Sequence, residues 1–341
     1  MSNKKWILYI LISLALTLSA IASINYYIDS LWTFEHEHKF NQYQRGSKER
    51  EQKSNALYFR SKKYETIIFG SSRITYMNPY VLDDKTFNYA VSDMQPREYK
   101  AYLDFAITEA KQPITSVIIG LDFFGALEYE PFIAKESKVI LEKITSPFYK
   151  YKLLFSLDTL KQSLSNIKNT SKKRNTTYKY SYVKRQNFND INITKYNSNI
   201  QKDIQDYLRD RYKHKYDENY FSYISELIKS YPEIKFIFFT TPVSEEHFKV
   251  ILSKDLYQDY ERWLRESVQV ASEINHFMYK SELAAKANIY FSDSNHAYPK
   301  TYKCLTNELF NKESDCPRTN IIINQTNLEE KLELLKSLNF Q

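Results

Sequence analysis

Glycine is nearly missing from this chain, with 4 among 341 residues, and proline is modest at 9. That excludes a fibrous or linker-rich protein. Cysteine is as sparse, being confined to Cys304 and Cys316. The loop between them is short and polar, so a disulfide is sterically allowed, and the sequence alone does not say that it forms. No Cys/His grouping has the spacing of metal ligands; His36-Glu37-His38, in a polar stretch, is only weak evidence for a metal site. No internal repeat is evident, and past residue 28 there is no second apolar run long enough to cross a membrane. Charge is no more one-sided than a net +7. Its basic part gathers between about Lys161 and Lys215, where Lys172-Lys173-Arg174 and Lys184-Arg185 lie among Tyr and Asn. Basic clusters with interleaved tyrosines can bind nucleic acid; a solvated surface is the plainer reading. An extracytoplasmic location would remove nucleic acid as a partner and favour an anionic glycan or lipid head group.

What is present begins with one apolar segment. Trp6 to Ile28 is almost wholly apolar and uncharged. At 1.5 Å per residue it reaches about 34 Å, enough to cross a hydrocarbon core of ~30 Å. Lys4 and Lys5 precede it, which by the positive-inside rule puts residues 1–5 in the cytoplasm and the rest of the chain outside. Trp6, Tyr26 and Tyr27 fall where interfacial aromatics belong. The competing reading is a signal peptide, because Ala20-Ile21-Ala22 fits a small-x-small cleavage pattern. The apolar residues that continue to Ile28 favour a retained anchor, with membrane lipid as its partner. Residues 29–62 read as a juxtamembrane arm with a helix around Lys48 to Arg60.

The next region alternates strands and helices. Tyr64 to Phe69, Thr86 to Val91, Ser116 to Leu121 and Lys235 to Thr240 are expected strands, with Asn288 to Phe291 a short fifth. Helical spacing runs over Pro96 to Lys111, Tyr216 to Tyr231 and Tyr257 to Ala271, with Pro96 in a first turn. This alternation predicts an α/β fold with an open parallel sheet and a site at the carboxyl ends of its strands. From about 130 to 215 the rhythm breaks, and an insertion, part helical and part loop, is expected beside the site. Residues 311–341 read as a C-terminal tail and helix, Leu328 to Leu338, with Asn327 as its N-cap.

Two short segments carry the chemistry. Ile67-Ile68-Phe69-Gly70-Ser71-Ser72-Arg73 is an apolar strand that delivers a serine to a tight turn, and Phe291-Ser292-Asp293-Ser294-Asn295-His296 places a carboxylate and an imidazole three residues apart. A serine hydroxyl reacts only when a base takes its proton. His296 is the candidate base, with Asp293 to fix its tautomer and stabilise the imidazolium. Taken singly, Ser72 would read as a helix N-cap and His296 as a surface histidine. Together, in this order on this strand pattern, they read as a nucleophile, base and acid.

On these two blocks the chain resembles the SGNH (GDSL-like) hydrolase superfamily over about Tyr64 to Phe310, apart from the insertion. Gly70-Ser71-Ser72 and Asp293-Ser294-Asn295-His296 match the family's first and last blocks. The resemblance implies a three-layer α/β domain over 63–310. Gly-Ser-Ser-Arg after an N-terminal anchor is most similar to membrane-tethered members that modify envelope polysaccharide or teichoic acid. It further implies an acyl esterase or O-acyltransferase acting on an envelope glycan or acylated polymer, without metal or diffusible cofactor, and a membrane O-acyltransferase as a partner. A non-catalytic scaffold or glycan-binding partner of such a transferase is the alternative. Two blocks depart from the pattern. Asp93 stands near the place of the second block's glycine, and Asp122 stands where the third block has asparagine. An ionised aspartate cannot donate to an oxyanion. The sequence therefore suggests that Asp122 pairs with Arg73, beside the nucleophile, and that backbone N–H groups hold the oxyanion.

Overall fold

The computed structural model describes residues 3–340 apart from 47, 129–133, 172–175, 180–183, 188–192 and 254–255. The described strands are β1 (Tyr43–Gln44), β2 (Thr66–Phe69), β3 (Thr86–Asn88), β4 (Ser116–Leu121), β5 (Thr176–Lys179), β6 (Lys184–Asn187), β7 (Lys235–Thr240), β8 (Glu273–His276) and β9 (Ile321–Asn324). Six of them form the central sheet, in the order β3-β2-β4-β7-β8-β9. The first five are mutually parallel, and β9 closes the edge antiparallel to β8.

Because strand side chains alternate between faces, the uninterrupted apolar runs of β2, β4 and β7 feed two cores. Ile67, Phe69, Val117, Ile119, Leu121 and Phe238 belong to the larger one. Ile68, Ile118 and Phe239 belong to the other, with Ile74, Phe277, Tyr302 and Leu305. The sheet is thus covered on both sides, as a buried parallel sheet must be. Counted along the chain, the five parallel strands lie in the order 2-1-3-4-5. The order reverses between β2 and β4, and in open α/β sheets ligands bind outside the strands' carboxyl ends at such a point. The Gly70–Arg73 turn leaves β2 at that point, and Asp122 leaves β4 beside it.

The sequence expectations need four corrections. Asn288–Phe291 is not a strand: Ala287–Tyr290 is helical and Ile289 is exposed. The fifth parallel strand is β8, whose single aliphatic residue, Ile274, left no apolar run to detect. The sheet also runs past residue 310, since β9 lies in the stretch read as a tail. Asn327 does stand at the N-cap of the last helix, Leu328–Phe340, its carbonyl accepting from the Lys331 N–H (2.9 Å), but its side-chain oxygen accepts from the Asn324 N–H (2.8 Å) and so closes the turn after β9 instead of capping the helix. Elsewhere the helices fall near the expected spans, at Glu49–Phe59, Pro96–Asp104, Tyr220–Ser230 and Leu256–Ala271.

The insertion is mostly helical, with Ala134–Thr145, Tyr149–Leu154, Leu157–Ser171 and Ile193–Asp210 around a small sheet of order β1-β5-β6. Of its basic clusters, Lys172-Lys173-Arg174 lies outside the described residues, and Lys184 and Arg185 are in β6. The N-terminal helix Asn3–Ile28 is long and apolar enough to cross a membrane. Cys304 and Cys316 are joined by a disulfide.

Candidate active site

The turn after β2 is shaped by two glycines. Gly70 has a φ of +153°, which side-chain-bearing residues rarely adopt, and a Cβ there would sit 2.4 Å from Ile74 Cγ1. A Cβ on Gly120 would meet Ile74 Cδ1 at 2.3 Å. Ile74 therefore packs directly on both strand ends and draws the turn down onto the sheet. Ser71 points inward, fully buried, and its Oγ accepts from the Arg73 N–H (3.3 Å). Ser72 points the other way and remains partly exposed, with Oγ 2.9 Å from His296 Nε2. Beyond the serine the chain enters a single 3₁₀ turn, Ile74–Tyr76, and no α-helix follows directly. So short a turn has little macrodipole to offer a developing oxyanion.

His296 is held by a local knot. Phe291 and Ala297 bridge across the loop, and the Ser292 N–H bonds to the His296 carbonyl (2.9 Å). Within the loop, Asp293 Oδ1 accepts from the backbone N–H of Asn295 (3.0 Å) and of His296 (2.7 Å). Its Oδ2 lies 2.9 Å from His296 Nδ1. Burial pushes the Asp293 carboxyl up, but the His296 imidazole and these N–H donors outweigh it and hold the group below its usual range. An ionised Asp293 fixes the Nδ1–H tautomer and leaves Nε2 as an acceptor facing the Ser72 hydroxyl.

Arg73 and Asp122 meet beneath the turn. Arg73 is 1 % exposed, and its Nη1 lies 3.3 Å from Asp122 Oδ1, the pairing that the sequence suggested. The guanidinium also donates to Thr241 Oγ1 (3.2 Å) and to the Tyr207 hydroxyl (3.1 Å), and sits over the Phe124 ring at 4.8 Å. The Thr241 hydroxyl donates to the same Asp122 oxygen. With its charge offset in this way, the carboxylate does not confront an oxyanion unopposed. Asp93, in the glycine-like position, has a left-handed φ of 54°, a conformation that aspartate tolerates better than most residues. Its carboxylate binds Arg211 Nη2 at 2.5 Å.

Sequence reasoning missed a second tier of residues. Asp203 and Tyr207, on the insertion helix Ile193–Asp210, reach under the Asp293–His296 loop. Asp203 Oδ2 accepts from Ser294 Oγ (2.9 Å) and Asn295 Nδ2 (2.8 Å), and the Tyr207 hydroxyl donates to Asn295 Oδ1 (3.3 Å). Burial and the neighbouring Asp293 charge raise the Asp203 carboxyl above its usual range. His247, fully buried, joins Ser294 Oγ (2.8 Å) to the Tyr212 hydroxyl (2.6 Å), and burial with the nearby Arg73 charge keeps it neutral. Since the Ser294 hydroxyl gives its proton to Asp203, His247 carries its own proton on Nδ1 and accepts from Tyr212. A signal did exist: Asp203, Tyr207 and Arg211 recur every four residues, which is one face of a helix. Among the described residues, no group of three or more His, Cys, Asp and Glu side chains is disposed to hold a metal ion. The chain matches no protein-family model and no curated protein.

Proposed function

We propose that the protein is a membrane-anchored, SGNH-like serine esterase or O-acyltransferase that works on acylated envelope glycans. The observation that carries this reading is the relay from Ser72 Oγ through His296 to Asp293, with steps of 2.9 Å and 2.9 Å. In the proposed cycle the Ser72 oxygen attacks an ester carbonyl while its proton passes to His296 Nε2. The tetrahedral intermediate collapses to an acyl-Ser72, and His296 returns the proton to the departing alkoxide. Water or a sugar hydroxyl then attacks the acyl-enzyme, with His296 again taking and returning the proton. The imidazolium formed in each half is stabilised by Asp293.

Two further features support an extracytoplasmic setting for this chemistry. Lys4 and Lys5 precede the apolar helix, and the Cys304–Cys316 disulfide is of a kind that persists in oxidising compartments. The second reading, a non-catalytic scaffold for a membrane O-acyltransferase, is favoured by Asp122, which occupies an oxyanion-block position with its carboxylate tied to Arg73 and Thr241.

A serine-reactive fluorophosphonate separates the two. The native chain is expected to label, and Ser72→Ala to lose both labelling and about 10⁴-fold or more in ester turnover. Ser71→Ala is expected to keep labelling, because that hydroxyl faces the core. A native chain that does not label would leave the scaffold reading standing, and unchanged turnover in Ser72→Ala would reject the mechanism.

A further inference from the structure

Apart from the site, an apolar and aromatic collar stands out where the N-terminal helix meets the rest of the chain. Twenty residues from Trp6 span about 30 Å of hydrocarbon and end at Asn25. Asn25 is buried, and its amide donates to the carbonyls of Leu153 (3.3 Å), Leu154 (2.8 Å) and Ser156 (3.1 Å). The Ser163 hydroxyl donates back to Asn25 Oδ1 (3.2 Å). The insertion is thereby clasped to the helix at the height where the hydrocarbon of a spanned bilayer would stop.

The side chains around that clasp are the wrong kind for water. Phe148, Tyr151, Phe155 and Leu157 are 74 %, 62 %, 51 % and 68 % exposed. On another side of the helix end, Tyr27 stacks on His38 at 4.1 Å, and Tyr26 packs edge-on against Phe34 at 4.8 Å. The imidazoles of His36 and His38 bond to the carbonyls of Tyr26 (2.9 Å) and Tyr27 (2.6 Å), so the His-Glu-His stretch closes the helix end. Large apolar residues exposed together mark an interaction surface. Aromatics with one polar edge suit the head-group layer. The two insertion helices at the clasp carry Lys150, Lys152, Lys161 and Lys168 against one acid, Asp158, a balance that favours a layer containing anionic phospholipid.

We propose that this collar is a second membrane contact, with Phe148, Tyr151, Phe155 and Leu157 seated in the head-group layer of the bilayer that the N-terminal helix spans. The proposal rests on that helix being a membrane span. Its consequence is geometric. A domain on one helix and a loose arm would swing freely, whereas a clasped and seated collar holds the Ser72 turn at one height above the lipid.

The test uses the full chain in lipid-only nanodiscs of phosphatidylcholine and phosphatidylglycerol. Single cysteines carry a polarity-sensitive fluorophore, and lipids bear nitroxide quenchers at a shallow or a deep acyl position. Leu14→Cys reports the span, Leu157→Cys and Phe155→Cys report the collar, and Lys229→Cys, exposed on the helix Tyr220–Ser230, reports the body of the domain. The proposal expects deep quenching at position 14, shallow quenching at 155 and 157 at least twofold above that at 229, and a blue-shifted emission. Quenching at 14 with 155 and 157 indistinguishable from 229 overturns the collar and leaves that face to a protein partner. No quenching at 14 overturns the span first and the collar with it.

Discussion

At the scale of single residues, the decisive fact is that a guanidinium is buried one residue from Ser72, the proposed nucleophile. Burying an ion costs several kcal/mol unless it is paired and hydrogen-bonded. Arg73 meets that condition through Asp122, Thr241, Tyr207 and the face of Phe124. The burial that opposes its charge is outweighed by Tyr207 and Asp122, so its pKa is raised. Asp122→Asn keeps the shape and one acceptor but removes the opposing charge. It is expected to destabilise the fold by about 3–5 kcal/mol and to lower ester turnover, because the Ser72 turn is built on Arg73. Urea unfolding and turnover of the variant check this, and a variant that is as stable and faster would make Asp122 a brake on hydrolysis. The Ser72, His296 and Asp293 group was legible because each half sits within seven residues of sequence. The partners of Asn295 and Ser294 were not: Asp203 and His247 stand 92 and 47 residues away, respectively, and only folding brings them together.

At the scale of elements, legibility followed burial on both faces. β2, β4 and β7 are central, bury most of their length on both faces, and so stand out as Ile-Ile-Phe, Val-Ile-Ile-Gly-Leu and Phe-Ile-Phe-Phe. β8 is held differently. Asn275 donates to the Phe238 carbonyl (3.3 Å), and His276 bonds to Thr240 (3.0 Å) and Tyr260 (2.8 Å). A strand fastened by polar side chains has no apolar signature, so the Asn288–Phe291 string displaced it. The same central strands make a sharp test of how the nucleophile turn is seated. Gly120→Ala drives a methyl group to 2.3 Å from Ile74 Cδ1. Overpacking of this kind is expected to cost about 1–3 kcal/mol and to reduce activity by displacing Ile74, two residues from Ser72. Adding Ile74→Val should restore part of the loss, giving a coupling between the two changes in a double-mutant cycle of urea midpoints. Strictly additive effects would mean that the turn does not rest on Gly120.

At the scale of the whole molecule, two buried imidazoles set how the fold responds to acid. His276 is fully buried between Thr240 and Tyr260, and burial pulls its pKa from 6.5 down to about 3. The Tyr260 hydroxyl gives its proton to the Met278 carbonyl (2.5 Å), so His276 carries its proton on Nε2 and accepts from Thr240 at Nδ1. No acceptor is left for a second proton to bond. His247 is lowered in the same direction, by burial first and the Arg73 charge second. For both, the unfolded chain binds a proton that the folded one refuses. Their contribution is therefore complete above pH 6.5 and is lost as the pH falls from there toward 3. The upper part of that window, from pH 7 to pH 5, lies above the range in which the lowered Asp293 carboxyl would begin to protonate. Asp203, raised by burial and by Asp293, acts in the opposite sense as it takes up its proton, but it is only half-buried and counts for less. His276 should remove about 2 kcal/mol between pH 7 and pH 5, and His247 acts in the same direction. Urea unfolding of the detergent-solubilised chain at those two values is expected to show a marked fall in stability. His276→Gln, which retains one donor and one acceptor but cannot titrate, should reduce that fall by about 2 kcal/mol. A stability that does not change between pH 7 and pH 5 would mean that both imidazoles are open to protons in the folded state, and the polar tier beneath the Asp293–His296 loop would then have to be looser than its hydrogen bonds imply.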